Sequence, residues 1–355
     1  MGHWLGSIPY IPISSTQFPR KMFNPPTMFD YTKFNEGDKE GFWDRPTPSP
    51  VTFHHVLSIA DGSADRDGFV YDVSGLPVFD ACHPLRQRTK YQRRKWRDCI
   101  AVDYRKRQAQ PRHYQGRMAV LTSEQQHMYS HWLFDVLPRL AKLRECEERV
   151  EHYFLQYSRS FQIESIEALG FIDTQCLVNC DHIPWASSDQ MVIPCHQVLF
   201  GYHYPRWVCD WLRRTFLPTG GTRSKPRRKI YVSRSLAGRR KVVNEEEIFS
   251  FLAPQGFRFC HLEQLSLAEQ ITLFHEAEIV VGPHGSGFAN LVFCDPGTRV
   301  IELFPSRATD AYFRLCVDMG LNYTCVKTRD VIQRSRVSDD FSIHVEDLRR
   351  ALKKD

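Results

Sequence analysis

A regular alternation of strands and helices between residues 229 and 327 restricts the possible folds of this chain more than any other feature. Apolar runs rich in Val, Ile and Phe recur there, and amphipathic segments separate them. The predicted strands are 229–234, 257–263, 278–282, 299–304 and 323–327, and the predicted helices are 245–253, 267–276, 288–293 and 310–319. Helical crossovers of this length join parallel strands and cover both faces of a sheet. The sequence therefore predicts a Rossmann-like α/β fold for this part of the chain.

The preceding residues have the same α/β character in a less regular form. Predicted strands lie at 51–60, 68–80, 117–123, 153–158, 176–180 and 191–194, and predicted helices at 161–169 and 205–217. Ser123 and Gln126 form the sequence pattern of a capping box, which predicts a further helix from there to about residue 147. Pro138 falls inside that helix and predicts a kink near Val136.

Composition divides the chain into three parts. The first 50 residues hold eight of the 21 prolines and show no sustained periodicity, which predicts an irregular Pro-rich arm at 1–50. The stretch TGGTRSKPRR, which begins at residue 219, is rich in glycine and then basic, as linkers often are. We therefore expect one α/β domain at 51–217 and a Rossmann-like domain at 218–355.

The overall composition indicates a soluble protein of the cytoplasm. With 42% hydrophobic and 25% charged residues the chain lies in the ordinary globular range, and no apolar run is long enough to span a membrane. The 11 cysteines are odd in number and scattered, which favours reduced thiols over a disulfide framework. The sequon at Asn322 favours the lumen of the secretory pathway instead, a location that we expect only if the sequence is a piece of a longer chain.

A basic segment accounts for much of the net charge of +6. Twelve Lys and Arg residues lie between positions 86 and 117. Such a segment is typical of a solvated basic face, and it also favours peripheral contact with an anionic membrane surface. Aromatic residues interleave with it, but no nucleic-acid-binding motif accompanies them, and we expect no nucleic-acid partner.

The strand at 278–282 runs directly into a glycine-rich turn, GPHGSG. Gly282, Gly285 and Gly287 would allow positive φ angles and a close approach of the backbone to a ligand, and Ser286 lies among them. The helix predicted after this turn would begin near Gly285, where free N–H groups and the helix dipole attract anions. The turn therefore predicts a phosphate site, with His284 beside it.

Other side chains are predicted to meet this turn. In a parallel sheet all strands end at one edge, so Ser233 and Arg234 after one strand and Glu302 near the end of another should lie close to it. Arg is the side chain best shaped for phosphate, and Arg239 and Arg240 could reach the same place. Glu302 is typical of the carboxylates that bind ribose hydroxyls. This set would hold a nucleoside diphosphate without a metal ion.

Three other groups raise the question of a metal site. Asp65-Arg66-Asp67 resembles the acidic pairs that hold divalent cations, and His127, His131 and Asp135 share one helix face with a spacing that zinc could use. The cysteines and histidines at 176–196 lack any CxxC pair. The simpler interpretations are a turn, a helix face and buried side chains, and we expect no metal.

The motifs YSHWLFDVLPRL, YVSR and GPHGSG, in this order, resemble those of glycosyltransferase family 61, also called DUF563. The resemblance covers roughly residues 115–305. The family includes bacterial polysaccharide-biosynthesis enzymes and eukaryotic xylosyl- and N-acetylglucosaminyltransferases. It implies a GT-B fold, in which two Rossmann-like domains face a cleft, an inverting mechanism, and a UDP-sugar donor used without an obligatory metal or other cofactor.

Motif matches within the resemblance also assign residues to the two substrates. They place Ser233, Arg234, Glu247, His284, Gly285 and Glu302 at the donor and His131 and Asp135 at the acceptor. Two positions depart from the family pattern, which commonly has Asn where this chain has Met128 and Ala where it has Ser286.

The leading hypothesis is therefore an inverting transfer of sugar to a hydroxyl of a glycan, a lipid-linked molecule or a protein. His131, oriented by Asp135, is the expected base, with His284 and Asp135 itself as alternatives. A nucleotide-sugar epimerase or hydrolase would use the same donor site but would turn over the donor alone. A non-enzymatic module that binds nucleic acid or lipid through residues 86–117 is the third hypothesis, and its binding would depend steeply on salt.

Overall fold

The computed structural model describes residues 3–5, 8–10, 20–22, 55–78, 81, 110–195, 204–217, 228–305, 309–329 and 339–353. These fall into two compact units, the first ending at Cys195 and the second beginning at Tyr204. The helix predicted at 205–217 therefore lies in the second unit, although the sequence assigned it to the first domain. Most of the Pro-rich arm and of the basic segment 86–117 lies outside the described residues.

The first unit is built on one mixed sheet. Its strands run in the order β3-β4-β10-β7-β8-β9, and β5 pairs with both β10 and β6. The strands are β3 (Arg20–Met22), β4 (His55–Ala60), β5 (Ser63–Asp65), β6 (Val70–Tyr71), β7 (Arg112–Val120), β8 (His152–Leu155), β9 (Leu177–Asn179) and β10 (Trp185–Pro194), and a separate hairpin joins β1 (His3–Leu5) to β2 (Ile8–Tyr10). Strands β7 to β10 pair in parallel, whereas β3, β4, β5 and β6 pair antiparallel with their neighbours. The carboxyl ends of β7 to β10 therefore lie at one edge.

A long helix follows β7 and changes its winding midway. An α-helical turn Tyr129–His131, a π-helical segment Trp132–Val136 and an α-helix Leu137–Glu145 succeed one another, and together they form helix α1. Pro138 lacks an N–H group and cannot make an ordinary helical bond at its position. A π-helical bond appears just before it, from the N–H of Leu137 to the carbonyl of Trp132. The sequence predicted a kink near Val136, and the structure has a π-helical segment at this place.

The start of helix α1 differs from the prediction. The helix begins at Tyr129 after Met128, and no side chain caps it. Gln126 instead turns inward, where its Nε2 donates to the carbonyl of Arg66 and its Oε1 accepts from the N–H of Gln156. The capping box predicted from Ser123 and Gln126 is therefore wrong, because Gln126 is used to join three chain segments. Helix α2 (Ser160–Leu169) completes the unit and ends at Gly170 in the left-handed conformation.

The second unit is a doubly wound parallel sheet. Its strands are β11 (Arg228–Val232), β12 (Phe257–Cys260), β13 (Ala277–Pro283), β14 (Arg299–Phe304) and β15 (Asn322–Lys327), in the order β12-β11-β13-β14-β15. The pairs are all parallel. The helices are α3 (Arg206–Phe216), α4 (Glu245–Leu252), α5 (Leu267–His275), the 3₁₀ helix Ser286–Phe293, α6 (Ala311–Met319) and α7 (Val345–Lys353). The α/β fold predicted from the sequence is confirmed in both units.

This strand order places a switch point between β11 and β13. The chain leaves β11 toward one neighbour, β12, and later returns beside β11 to form β13 on its other side. The loops after two such strands diverge to opposite faces of the sheet, and the gap that they leave is where open α/β sheets bind ligands. A ligand site is therefore expected at the residues that directly follow β11 and β13.

Two further observations concern the cysteines and the lengths of the helices. The described cysteines are all free thiols, and most of them are buried. Within the described part of the chain, no helix has both the length and the apolar character needed to cross a membrane.

Candidate functional site

The two strands at the switch point deliver Arg234 and Gly285 to the same place. Strand β11 ends at Val232 and is followed by Ser233 and Arg234, and β13 ends at Pro283 and is followed by His284 and Gly285. A methyl group built on Gly285 would lie 2.2 Å from Nη1 and 2.9 Å from Cζ of Arg234. The guanidinium therefore rests directly against the backbone of the turn, in space that only glycine leaves open.

The three glycines of the turn serve close packing and not unusual backbone angles. Positive φ angles occur at seven described glycines, and none of these three is among them; Gly285 is fully extended, with φ −177°. A Cβ on Gly282 would approach the carbonyl oxygen of Val232 to 2.7 Å, and one on Gly287 would approach Leu262 to 2.6 Å. The glycines allow a close approach of Val232, Leu262 and Arg234, whereas the sequence predicted a close approach to a ligand, and the predicted left-handed conformation is wrong.

Three consecutive backbone N–H groups at the end of the turn are unpaired among the described residues. The helix after it is a 3₁₀ helix and begins at Ser286, and its first bond runs from the N–H of Phe288 to the carbonyl of Gly285. No hydrogen bond within the described residues uses the N–H groups of Gly285, Ser286 or Gly287. Such unpaired donors at a helix start attract an anion.

Three arginines concentrate positive charge beside this turn. Burial lowers the pKa of the Arg234 guanidinium to about 10, and the nearby charges of Arg240 and Arg239 act in the same direction. Arg234 Nη2 donates to the carbonyl of Arg239 at 3.2 Å, while its buried Nε has no hydrogen-bond partner. A bound anion would offset the repulsion among the three guanidinium groups and could accept a hydrogen bond from Arg234 Nε. Guanidinium groups form their strongest hydrogen bonds to phosphate and carboxylate.

His284 is held rigidly from inside the unit. Its Nδ1 lies 2.5 Å from Oε1 of Glu302, and its backbone N–H donates to the carbonyl of Leu303. Its ring stacks on Phe304 at 5.0 Å between centroids and contacts Tyr312 at 5.3 Å. Its Nε2 makes no hydrogen bond to any described residue, and 11% of the side chain is exposed. His284 can therefore present Nε2 to a ligand.

Glu302 has other partners than the ribose hydroxyls predicted from the sequence. The residue is fully buried, with 0% of its surface exposed. One carboxylate oxygen meets His284, and the other accepts from the hydroxyl of Tyr323 at 2.6 Å. A carboxylate occupied in this way orients His284 and does not reach a ligand.

Two other residues predicted to bind the sugar donor make hydrogen bonds to other protein residues instead. The hydroxyl of Ser233 donates to Oε2 of Glu245 at 2.8 Å, and so it ties the end of β11 to the start of α4. Glu247 accepts from Nδ2 of Asn244 at 2.8 Å. The structure thus brings together Arg234, Arg239, Arg240, His284 and the turn Gly282–Gly287, whereas Ser233, Glu247 and Glu302 lie in supporting contacts.

Two aromatic residues at this site were not predicted from the sequence. Tyr312, in the first turn of α6, packs against His284 and its hydroxyl lies near Arg234. Tyr323, on β15, holds Glu302. Both appear in the sequence as ordinary apolar positions of a helix and a strand. Only the pairing of β14 with β15 reveals the second contact.

The first unit carries a second histidine with a similar arrangement. His131 Nδ1 lies 2.5 Å from Oδ2 of Asp135, and 14% of the His131 side chain is exposed. Asp135 lies in the π-helical segment one turn after His131. None of the described residues offers a hydrogen bond to His131 Nε2. This nitrogen is free to accept a proton from a bound molecule.

Two buried cations anchor the helix that carries His131 and Asp135. Arg139 is 1% exposed and donates to the carbonyls of Val120, Thr122 and Pro194. Lys142 is 0% exposed and donates to the carbonyl of Cys195 at 2.8 Å. Both therefore hold α1 to the carboxyl ends of β7 and β10. Burial lowers the pKa of Arg139 to about 10, and the charge of Asp135 opposes this shift.

The groups considered as metal ligands have other partners. Asp65 is fully buried, and its carboxylate accepts from the N–H groups of Asp67 and Phe69 and lies 3.3 Å from the hydroxyl of Tyr71. It therefore shapes a turn. Among the described residues no three His, Cys, Asp or Glu side chains come together as a metal site requires. Of the cysteine and histidine group at 176–196, His196 lies outside the described residues.

Comparison with known proteins agrees with this geometry. The family model named Glycosyltransferase 61 matches residues 129–301. The matched segment starts at the helix with His131 and Asp135 and ends within β14, so it contains both Arg234 and the glycine-rich turn. A search of curated proteins found no match. The resemblance inferred from the motifs is confirmed: residues 129–301 match glycosyltransferase family 61.

Proposed function

We propose that this glycosyltransferase is an inverting enzyme that takes sugar from a nucleoside-diphosphate donor of the UDP type. The observation that carries this proposal is the Arg234 guanidinium resting on Gly285, next to three unpaired N–H groups. These donors form a site for a diphosphate at the switch point of a parallel sheet, where nucleotides commonly bind. The acceptor is a hydroxyl group of a glycan, a lipid-linked molecule or a protein.

The donor half of the reaction needs a site that stabilises a leaving anion. As the bond between the sugar carbon and the phosphate oxygen breaks, its electron pair passes to the diphosphate. Arg234 and the N–H groups of the turn stand ready to bind that charge without rearranging, which is the usual source of large electrostatic catalysis. When the His284 ring carries a proton on both nitrogens, Glu302 accepts from Nδ1–H and Nε2–H donates to the same phosphate group.

The acceptor half needs a base. In a single displacement the acceptor oxygen forms its bond to the sugar carbon from the face opposite the leaving group, so the configuration inverts. The acceptor proton passes to Nε2 of His131, and Asp135 stabilises the charged ring through Nδ1. This step needs His131 with its proton on Nδ1 and with Nε2 unprotonated.

We expect donor binding and turnover to persist in excess EDTA. The proposed diphosphate site offers guanidinium and N–H groups in place of a metal, and Asp65 is engaged by its own turn. UDP affinity should be measured by calorimetry with EDTA and with added Mn²⁺ or Mg²⁺. Affinity that appears only with added metal would contradict this part of the proposal.

A donor screen tests the proposal as a whole. Nucleoside diphosphates and nucleotide sugars are added to the purified chain, and the unfolding temperature is followed. A ligand at 100 times its dissociation constant stabilises a protein by about 2.7 kcal/mol, which gives a clear shift. We expect UDP or UDP-sugars to stabilise the chain and UDP release to require an acceptor. Rapid turnover of the donor alone would favour an epimerase or hydrolase, and stabilisation by no nucleotide would contradict the donor site.

A further inference from the structure

A buried hydrogen-bond chain runs from strand β15 to the proposed donor site. The hydroxyl of Tyr323 lies 2.6 Å from Oε2 of Glu302, and Oε1 of the same carboxylate lies 2.5 Å from Nδ1 of His284. Glu302 is completely shielded from water, so both of its oxygens depend on these partners. A buried carboxylate that loses one hydrogen bond is strongly disfavoured and will move or take up a proton.

We propose that Tyr323 is a positioning residue of the donor site: it holds Glu302, and Glu302 fixes the His284 ring by accepting from Nδ1–H, so that Nε2, when protonated, donates to the bound phosphates. This inference rests on the proposed function, because it takes the phosphates to be the ligand of His284. Tyr323 lies beyond the segment that matches the family, which ends at residue 301.

The residues around this hydrogen-bond chain restrict rotation of the His284 ring. Phe304 stacks on the imidazole ring with an interplanar angle of 22°, and Tyr312 contacts it at 49°. Rotation of the ring would break the bond to Glu302 and lose the stacking on Phe304. Burial raises the pKa of the Tyr323 hydroxyl well above its usual value, and the charge of Glu302 raises it further. The hydroxyl therefore stays protonated near neutral pH, where it donates to Glu302.

The test compares Tyr323→Phe with the native chain in two measurements. The first is UDP affinity by calorimetry, and the second is the ¹⁵N spectrum of the histidine rings, in which His284→Ala identifies the resonances of His284. We expect UDP affinity to fall about fivefold to tenfold, the worth of roughly one hydrogen bond. We also expect the signal of Nδ1-protonated His284 to shift or broaden. Tyr153→Phe, at a half-buried tyrosine of β8, is the matched control and should change neither.

A second variant, of nearly unchanged side-chain volume, separates loss of the hydrogen-bond chain from a folding defect. Glu302→Gln keeps the volume and the acceptor at Nδ1 but removes the charge, and it should weaken UDP binding by about tenfold or more. Unchanged affinity and unchanged His284 resonances in Tyr323→Phe would overturn the inference. If the native chain binds no UDP, the proposed function fails instead, while the ring spectra still show whether Tyr323 and Glu302 fix the His284 tautomer.

Discussion

Replacing His131 with alanine should lower the turnover of sugar transfer by about 10² to 10⁴, the usual contribution of a general base. Affinity for the donor should stay nearly unchanged, because Arg234 and the glycine-rich turn belong to the second unit and His131 to the first. The loss should therefore fall on kcat and not on the dissociation constant for UDP. Turnover is measured as UDP released from a UDP-sugar in the presence of acceptor.

The neighbouring His127 provides a matched control. It lies four residues before His131, and its side chain is exposed. His127→Ala should keep most of the activity. Full activity in His131→Ala with loss in Asp135→Asn would assign the proton to the carboxylate. A His131→Ala variant that failed mainly in donor binding would contradict the assignment of His131 to the acceptor.

Replacing Gly285 with alanine should reduce UDP affinity by at least about tenfold while the fold survives. The new methyl group would lie 2.2 Å from Nη1 of Arg234, so the guanidinium must leave its place. The displaced atoms belong to the end of a flexible side chain, and the φ of −177° suits alanine, so little strain follows. A charge-assisted hydrogen bond to phosphate is worth about 1.5 to 3 kcal/mol, which corresponds to about tenfold or more in affinity.

The control for this prediction is Gly238→Ala. Gly238 lies in the loop between Arg234 and Arg239, its φ is not positive, and a methyl group there meets nothing within 4 Å. Its affinity for UDP and its unfolding temperature should match those of the native chain. If Gly285→Ala also binds UDP normally, then contact between Arg234 and the turn has no part in binding.

Sequence patterns predicted the fold well because strand and helix periods are local properties. The strand predicted at 299–304 has these bounds in the structure, and Ser266 and Glu269, which have the sequence spacing of a capping box, form one there. Both signals come from residues a few positions apart. Errors arose where a side chain meets a distant partner, as when Gln126 joins Arg66 and Gln156 in place of capping a helix.

In the site, too, local patterns were predicted and contacts between distant residues were not. Strand ends at one edge predicted that Arg234 and the turn would lie together, since that follows from topology alone. The role of Glu302 could not be predicted, because it depends on which way the side chain points and on Tyr323 in the next strand. The sequence predicted a close approach of the glycine backbone to a ligand, but it could not show that Arg234 is the group that approaches Gly285.

A calorimetric titration of UDP into the native chain and into Arg234→Ala shows whether the donor diphosphate binds at this arginine. We expect saturable binding of one UDP by the native chain in EDTA, and an affinity lower by about tenfold or more in Arg234→Ala because one charge-assisted bond to phosphate is lost. Equal affinity in the two proteins would contradict the placement of the donor diphosphate at Arg234 and Gly285.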